Sequence, residues 1–400
     1  TKKDVDDFFA SDYDKNLHDP FLFSAMHRVV ERVQQAKEKG EKIGIFGDHD
    51  ADGVSSATVL AEGLEELGFS VSVYIPDKMT EGHGINTTAI DQFVQEGVTL
   101  LFSVDCGTSN VDAVAYANDK KIDVIITDHH HAPEVLPDAF AIINPQLPRE
   151  TYPFKELSGT AVAFKVVQAL FTACAPERVE QLKWLLDVVC VGTIADCMPL
   201  FGENRVLVKY GLIVLSKTRR KGYQKLISVG NIPINRWSVP TADVIAFQIA
   251  PRINAAGRMS HAKHAYALLR EKDDTRATKK AQDIEKQNRD RQRLVAKIVQ
   301  DVEDVIRTQQ LDNNAFIVAS SKDYPIGIVG IVAGRIAEKY QKPTGIFTED
   351  GDMARGSFRS VDGVHVVDVL QSCEKYLDKY GGHEKAAGAT LKTKHLPDFA

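Results

Sequence analysis

Acidic residues crowd a few short stretches of this chain. Asp48, Asp50 and Asp52 stand in GDHDADG, Asp105 in SVDCG, and Asp128, His129 and His130 in TDHHH. A further acid, Asp196, closes the apolar run LLDVVCVGTIAD, where an unpaired carboxylate is costly. So many like charges at one place repel strongly unless a cation neutralises them. An oxygen-rich donor set with one or two imidazoles suits Mn²⁺ or Mg²⁺ better than structural zinc, which prefers thiolates. Each piece alone has a plainer explanation. A DxD after a strand is often a turn or a helix N-cap, Asp105 can cap a helix, and a run of histidines arises by chance. Asp196 can pair with an arginine or a backbone N–H. Their joint occurrence favours a metal site.

The elements that must position these residues follow from hydrophobic periodicity. Strands are expected at 42–48, 70–75, 99–105, 122–128 and 139–144, with helices at 53–67, 86–96 and 109–119 between them. Strands alternating with helices of about ten residues mean an α/β fold with a doubly wound, mostly parallel sheet. In such a sheet the carboxyl ends of the strands form one crevice, and the acids at 48–52, 105 and 128 all fall there. Apolar helices are expected at 158–172 and 182–194, whereas 200–270 gives no clear assignment. The stretch 274–309 is charged, free of Gly and Pro, and carries apolar or small residues at helical spacing, so one long helix is expected. A second, smaller α/β unit follows, with strands at 314–320, 343–347 and 386–391, helices at 327–340 and 364–377, and a turn at Gly381-Gly382.

Composition narrows the class. With 44% hydrophobic and 26% charged residues, 400 residues read as a globular enzyme of two domains or a little more. Five scattered cysteines without a CxxC pair argue against a disulfide framework or zinc ribbon and for a reducing compartment. The apolar runs are too short to span a bilayer and no signal peptide opens the chain, so a cytoplasmic location is expected. The net charge of −6 does not advertise a nucleic-acid binder, although acids gathered around metal ions distort that count. The segments 217–225 and 270–297 are locally basic, and both also read as solvated faces. The absence of an initial Met and the ending LPDFA suggest a piece of a longer protein.

GDHDADG, SVDCG, TDHHH and GTIADCMPL resemble, in order and spacing, the four motifs of the DHH phosphoesterase superfamily. GGHEKAAG (381–388) resembles the signature of its companion DHHA1 domain, and APRINAAGRM (250–259) with GSFRS (356–360) narrows the likeness to the RecJ branch. The resemblance implies an N-terminal segment at 1–40, a DHH catalytic domain at 41–270, a connecting helix at 271–311 and a DHHA1 domain at 312–400. It implies a two-metal site in which Asp50, Asp52, Asp105, His129 and Asp196 bind two Mn²⁺ or Mg²⁺ ions, with Asp105 bridging. Asp48, Asp128 and His130 become catalytic partners that orient ligands or handle protons. Lys78, Arg252, Arg258, Ser357, Arg359 and His383 become substrate contacts, the arginine fork with a Ser hydroxyl being apt for a 5′ phosphate. Without that context, Arg252 and Arg258 read as intrachain ion-pair residues and Gly381-Gly382-His383 as a turn.

The implied activity is a 5′→3′ exonuclease that degrades single-stranded DNA to 5′ mononucleotides in DNA repair and recombination. The implied partners are single-stranded DNA with a 5′ phosphate and a single-strand-binding protein or helicase, with no membrane and a monomeric state. The alternatives are a DHH phosphodiesterase of short oligoribonucleotides or cyclic dinucleotides, and an inactive replication scaffold. The branch usually has Arg where Lys78 stands, His where Phe46 stands, and an aromatic–His pair where Tyr324-Pro325 stands. Its OB-fold is missing from these 400 residues, so catalysis with weak binding of long single strands is expected.

Overall fold

The computed structural model describes Phe9, residues 11–78 and 80–399; the first eight residues of the expected N-terminal segment lie outside it. Helix α1 (Met26–Lys39) precedes β1 (Lys42–Gly47), α2 (Ala51–Glu66), β2 (Val71–Tyr74), α3 (Thr87–Gln95), β3 (Val98–Val104), α4 (Val111–Asp119), β4 (Asp123–Thr127) and β5 (Ala141–Ile143). The five strands form one parallel sheet in the order β2-β1-β3-β4-β5, the doubly wound arrangement expected from the alternation. Its topological switch lies between β1 and β3.

Alternate residues of each strand feed two separate cores. Ile43, Ile45, Leu100, Phe102, Val104 and Ile125 belong to the larger one. Phe46, Leu101, Val124 and Ile126 face the smaller one with α3 and α4. Strands buried on both faces explain why these stretches read as continuous apolar runs. Register carries this order to the strand ends. Gly47 pairs with Val104, and Val104 with Thr127, so the residues that follow them, Asp48, Asp105 and Asp128, emerge side by side.

Helices α5 (Gly159–Cys174) and α6 (Leu186–Ala195) pack on α2. A 3₁₀ stretch, Pro176–Leu185, takes the place of the first turn expected for α6; the proline fits its start, and Leu182 and Leu185 are its buried residues. The unassigned region is helical: α7 (Gly202–Ser216), α8 (Lys221–Val229), α9 (Ala250–Met259) and α10 (Lys263–Leu269), with a π-helical stretch at Ile245–Ile249. Helix α11 runs over Asp274–Gln309, as its composition predicts. The chain divides into two compact units at Gln287/Asn288, within this helix.

The second unit comprises β6 (Ile317–Ser321), α12 (Ile326–Tyr340), β7 (Thr344–Asp350), β8 (Met353–Arg359), α13 (Val366–Ser372), β9 (Leu377–His383) and β10 (Ala386–Lys392). They build a mixed sheet of order β6-β7-β8-β10-β9, packed around Phe347, Phe358, Val366, Leu370 and Leu391. Two expectations are corrected here. Gly381 and Gly382 do not form a turn but lie in β9, opposite Gly388 and Ala387 of β10. A Cβ on Gly382 would stand 2.5 Å from the Ala387 Cα, so glycine is needed for close strand approach. Helix α13 is also shorter than 364–377: it ends at Ser372, and Leu377 already opens a strand. Among the described residues no helix is long and apolar enough to cross a membrane.

Candidate metal centre

Four segments of the first unit bring the acids together. The loop after β1 supplies Asp48 and Asp50 and the first turn of α2 supplies Asp52, and Asp50 caps α2 by accepting the N–H groups of Asp52 and Gly53. The end of β3 supplies Asp105, held at φ 60°, a left-handed conformation rare for a residue with a Cβ and common at functional sites. The end of β4 supplies Asp128, His129 and His130, and the C-terminus of α6 supplies Asp196. His129 Nε2 lies 3.2 Å from Asp105 Oδ1, 3.5 Å from Asp196 Oδ2 and 4.0 Å from Asp52 Oδ2. One donor from each of Asp52, His129 and Asp196 falls within 4.8 Å, and the same holds for Asp48, Asp50 and Asp105. Asp105 is therefore near both groups, as a bridging carboxylate must be.

Electrostatics supports a cation here. Asp105 Oδ1 and His129 Nε2 are buried and have no hydrogen-bond partner, a costly state that coordination to an ion would relieve. Burial, with repulsion from Asp52, Asp50, Asp48 and Asp196, pushes the Asp105 carboxyl well above its ordinary range. Asp52 is also raised by burial, against the pull of His129 and Thr160, and Asp196 is pushed up to about 8 by burial, Asp52 and Asp50. Burial holds His129 low, leaving its lone pair available. The donors present fit hard or borderline divalent ions.

Asp128 and His130 behave differently. The hydrogen bond to Asp128, 2.7 Å from its Nδ1, lifts the His130 imidazole to about 9 despite burial. Burial disfavours the Asp128 carboxylate, yet His130 and the Thr108 N–H hold it well below its usual range. This pair keeps its proton on the imidazole at neutral pH.

These shifts set the pH response of the metal-free protein. Asp196, Asp52, Asp105 and His130 all have raised values, so the folded state binds more protons than the unfolded one. Their contribution is complete below the unfolded carboxylate value of about 4 and is lost as pH rises through the folded values. We expect the unfolding midpoint in chelator to fall between about pH 5 and about pH 8, and Mn²⁺ to flatten that fall. Calorimetry with and without the ion reads both; a metal-free midpoint that rises over this range refutes the assignment.

Several positioning residues carry no motif signal of their own. The N–H groups of Gly159 and Thr160, at the start of α5, donate to the two oxygens of Asp52, and the Thr160 hydroxyl adds a third bond. A Cβ at Gly159 would stand 2.7 Å from the Asp105 Cγ. Gly159→Ala should therefore displace two acids at once and weaken Mn²⁺ binding by about 10–100-fold, a typical cost for disturbed outer partners. Isothermal titration decides it, and unchanged affinity refutes the close fit. Asn254 on α9 accepts the Ala51 N–H at 2.9 Å, docking APRINAAGRM against the acidic loop. A Ser-Gly-Thr sequence opening an apolar helix, and an Asn between apolar residues, were the only hints.

The expected substrate contacts are distributed as follows. Arg258 on α9 is largely buried, and although burial lowers its pKa, Asp50 attracts its charge. Arg252 pairs with Glu285 at 2.6 Å and donates to the Gln248 carbonyl, the intrachain role open to it in the sequence. Lys78 lies in the loop after β2. In the second unit Arg359 donates to the Ser357 hydroxyl at 3.1 Å on β8, and His383 ends β9. Phe46 is fully buried and stacks on Tyr74, so it serves the core.

The DHH family, N-terminal domain, matches residues 42–193 and the DHHA1 domain matches 313–400. A single-stranded-DNA-specific exonuclease RecJ of Haemophilus influenzae is 33% identical over 408 residues, which cover 96% of this chain and 69% of that protein. The chain belongs to the RecJ family. RecJ of Bacillus subtilis is 39% identical over 98% of this chain, but the chain spans only 49% of its length. A crystal structure of exonuclease RecJ bound to manganese superposes with a TM-score of 0.81 at 30% identity, covering 94% of this chain and 92% of that one.

Proposed function

We propose that this RecJ-family chain hydrolyses single-stranded DNA from its 5′ end to 5′ mononucleotides, using two divalent ions, Mn²⁺ or Mg²⁺. The observation that carries this reading is the convergence of Asp50, Asp52, Asp105, His129 and Asp196 on one strand edge, with buried donor atoms left unpaired. The RecJ relatives and the manganese-bound neighbour support the choice of substrate and ion. Those five residues would hold the ions, with Asp105 shared. When bound, such ions lower the pKa of a coordinated water and stabilise charge on the phosphoryl oxygens. His130, protonated against Asp128, is placed to give a proton to a departing oxygen, and Asp48 to accept one. The Arg359–Ser357 pair offers a guanidinium fork and a hydroxyl to a terminal phosphate, with Lys78 as a further point charge. Arg252, Arg258 and His383 are assigned to the strand's path by the family resemblance, Arg252 while paired with Glu285. We assign 41–270 to the DHH domain, 271–311 to the connecting helix and 312–400 to the DHHA1 domain. A cytoplasmic monomer working with a single-strand-binding protein or helicase fits five free cysteines and the relatives' named activity.

The test is hydrolysis of 5′- and 3′-labelled single strands with Mn²⁺ and then with chelator. Release of labelled mononucleotide from the 5′ end at once, with loss of all activity in chelator, is expected. Degradation from the 3′ end, or activity in chelator, refutes the proposal.

A further inference from the structure

Two histidines beside the acidic cluster have no place in the proposed machinery. His49 lies in the loop after β1 and is only 5% exposed. Its Nδ1 is buried and lies 2.9 Å from Asp48 Oδ1, which is buried as well. Atoms at that separation can be joined by a proton on the imidazole or by a cation in its place. His83, in the loop before α3, completes the arrangement. Its Nδ1 is 4.0 Å from the same Asp48 oxygen, and its ring stands edge-on to His49 with centroids 4.6 Å apart. All three donor atoms fall within 4.8 Å of one another.

We propose that Asp48, His49 and His83 form a third divalent-cation site beside the proposed pair, suited to Zn²⁺ or a similar borderline ion. Two imidazoles with one carboxylate are the donor set of many three-ligand zinc sites that leave a fourth position open. The adjoining cluster is richer in oxygen and so favours Mn²⁺ or Mg²⁺. His83 is the only one of the three with a largely exposed side chain, and it lines a cleft that also reaches Asp128 and His130. An ion can therefore enter from solvent. An ion held there would engage Asp48 and withdraw it from proton transfer.

The count of three rests on the proposed pair, and because anomalous scattering places each ion separately, failure of the pair and failure of the third site are told apart. Protein stripped with chelator is reloaded with Zn²⁺, and bound ions are counted by titration and by anomalous scattering at the zinc edge. Three ions per chain are expected for the natural protein and two for His83→Ala and His83→Gln. Imidazole scattering in the zinc absorption spectrum should weaken in both variants. The side chain of His83 is exposed, so matching unfolding midpoints are expected to certify the fold. Two ions in the natural protein, meaning that the histidines merely join the proposed pair, would overturn the proposal. So would three ions that persist in both variants.

Discussion

Asp105→Asn should lower kcat/KM on single-stranded DNA by on the order of 10⁴-fold, because it removes the carboxylate nearest both groups of candidate ligands. The same substitution should stabilise the metal-free protein. Asp105 is buried, faces four other acids and has an oxygen without a hydrogen-bond partner, so ionisation there opposes folding. An amide of equal size removes that charge, and each kcal/mol recovered raises the midpoint by roughly 2–4 °C in a unit of this size. Mn²⁺ should then raise the natural protein's midpoint more than the variant's. Opposite changes in activity and metal-free stability identify a site whose acids serve function at the fold's expense. A variant that is both inactive and less stable without metal would mean that Asp105 is structural.

The largest effect on stability is expected at a buried ion pair outside the metal centre. Lys165 on α5 and Glu203 on α7 are fully buried and paired at 2.6 Å. The Lys165 ammonium also donates to the His18 carbonyl, and Glu203 accepts from the His18 N–H and the Tyr152 hydroxyl. Every group in this knot is satisfied, which is the condition for a buried ion pair to be tolerated. Lys165→Met leaves Glu203 buried with its two hydrogen bonds but without its counter-ion, at a cost of about 3–5 kcal/mol. Urea unfolding would read this directly. The double variant Lys165→Met with Glu203→Leu should recover most of the loss, because no charge is then stranded. A single variant within about 1 kcal/mol of the natural protein would show that the pair contributes little.

The sheet, α11 and the acids at strand ends were legible because each rests on a strong local pattern. Parallel strands buried on both faces show as apolar runs, and a Gly- and Pro-free charged stretch leaves few alternatives to a helix. The helices between 200 and 270 were not, since α8 has Gly222 in its first turn and the run towards α9 passes Pro240 and the π-helical stretch at Ile245–Ile249. Strands β8 and β9 were missed because GSFRS and GGH carry turn-forming residues that here permit close pairing. His49 and His83 were invisible for another reason: each is unremarked between stronger neighbours, and only folding brings them together. The Lys165–Glu203 pair is the same kind of case, two charges in apolar helices with nothing to join them but tertiary contact.

That knot also bears on how the chain is made. His18 waits for Glu203, 185 residues later, and at 5–20 residues per second the ribosome needs roughly 10–40 s to deliver it. Phe23 is covered earlier, by the Tyr152 ring stacked on it at 3.8 Å, so the buried charges are the last part of this region to be matched. Slower translation between His18 and Glu203 should therefore prolong the interval in which the His18 N–H lacks its carboxylate.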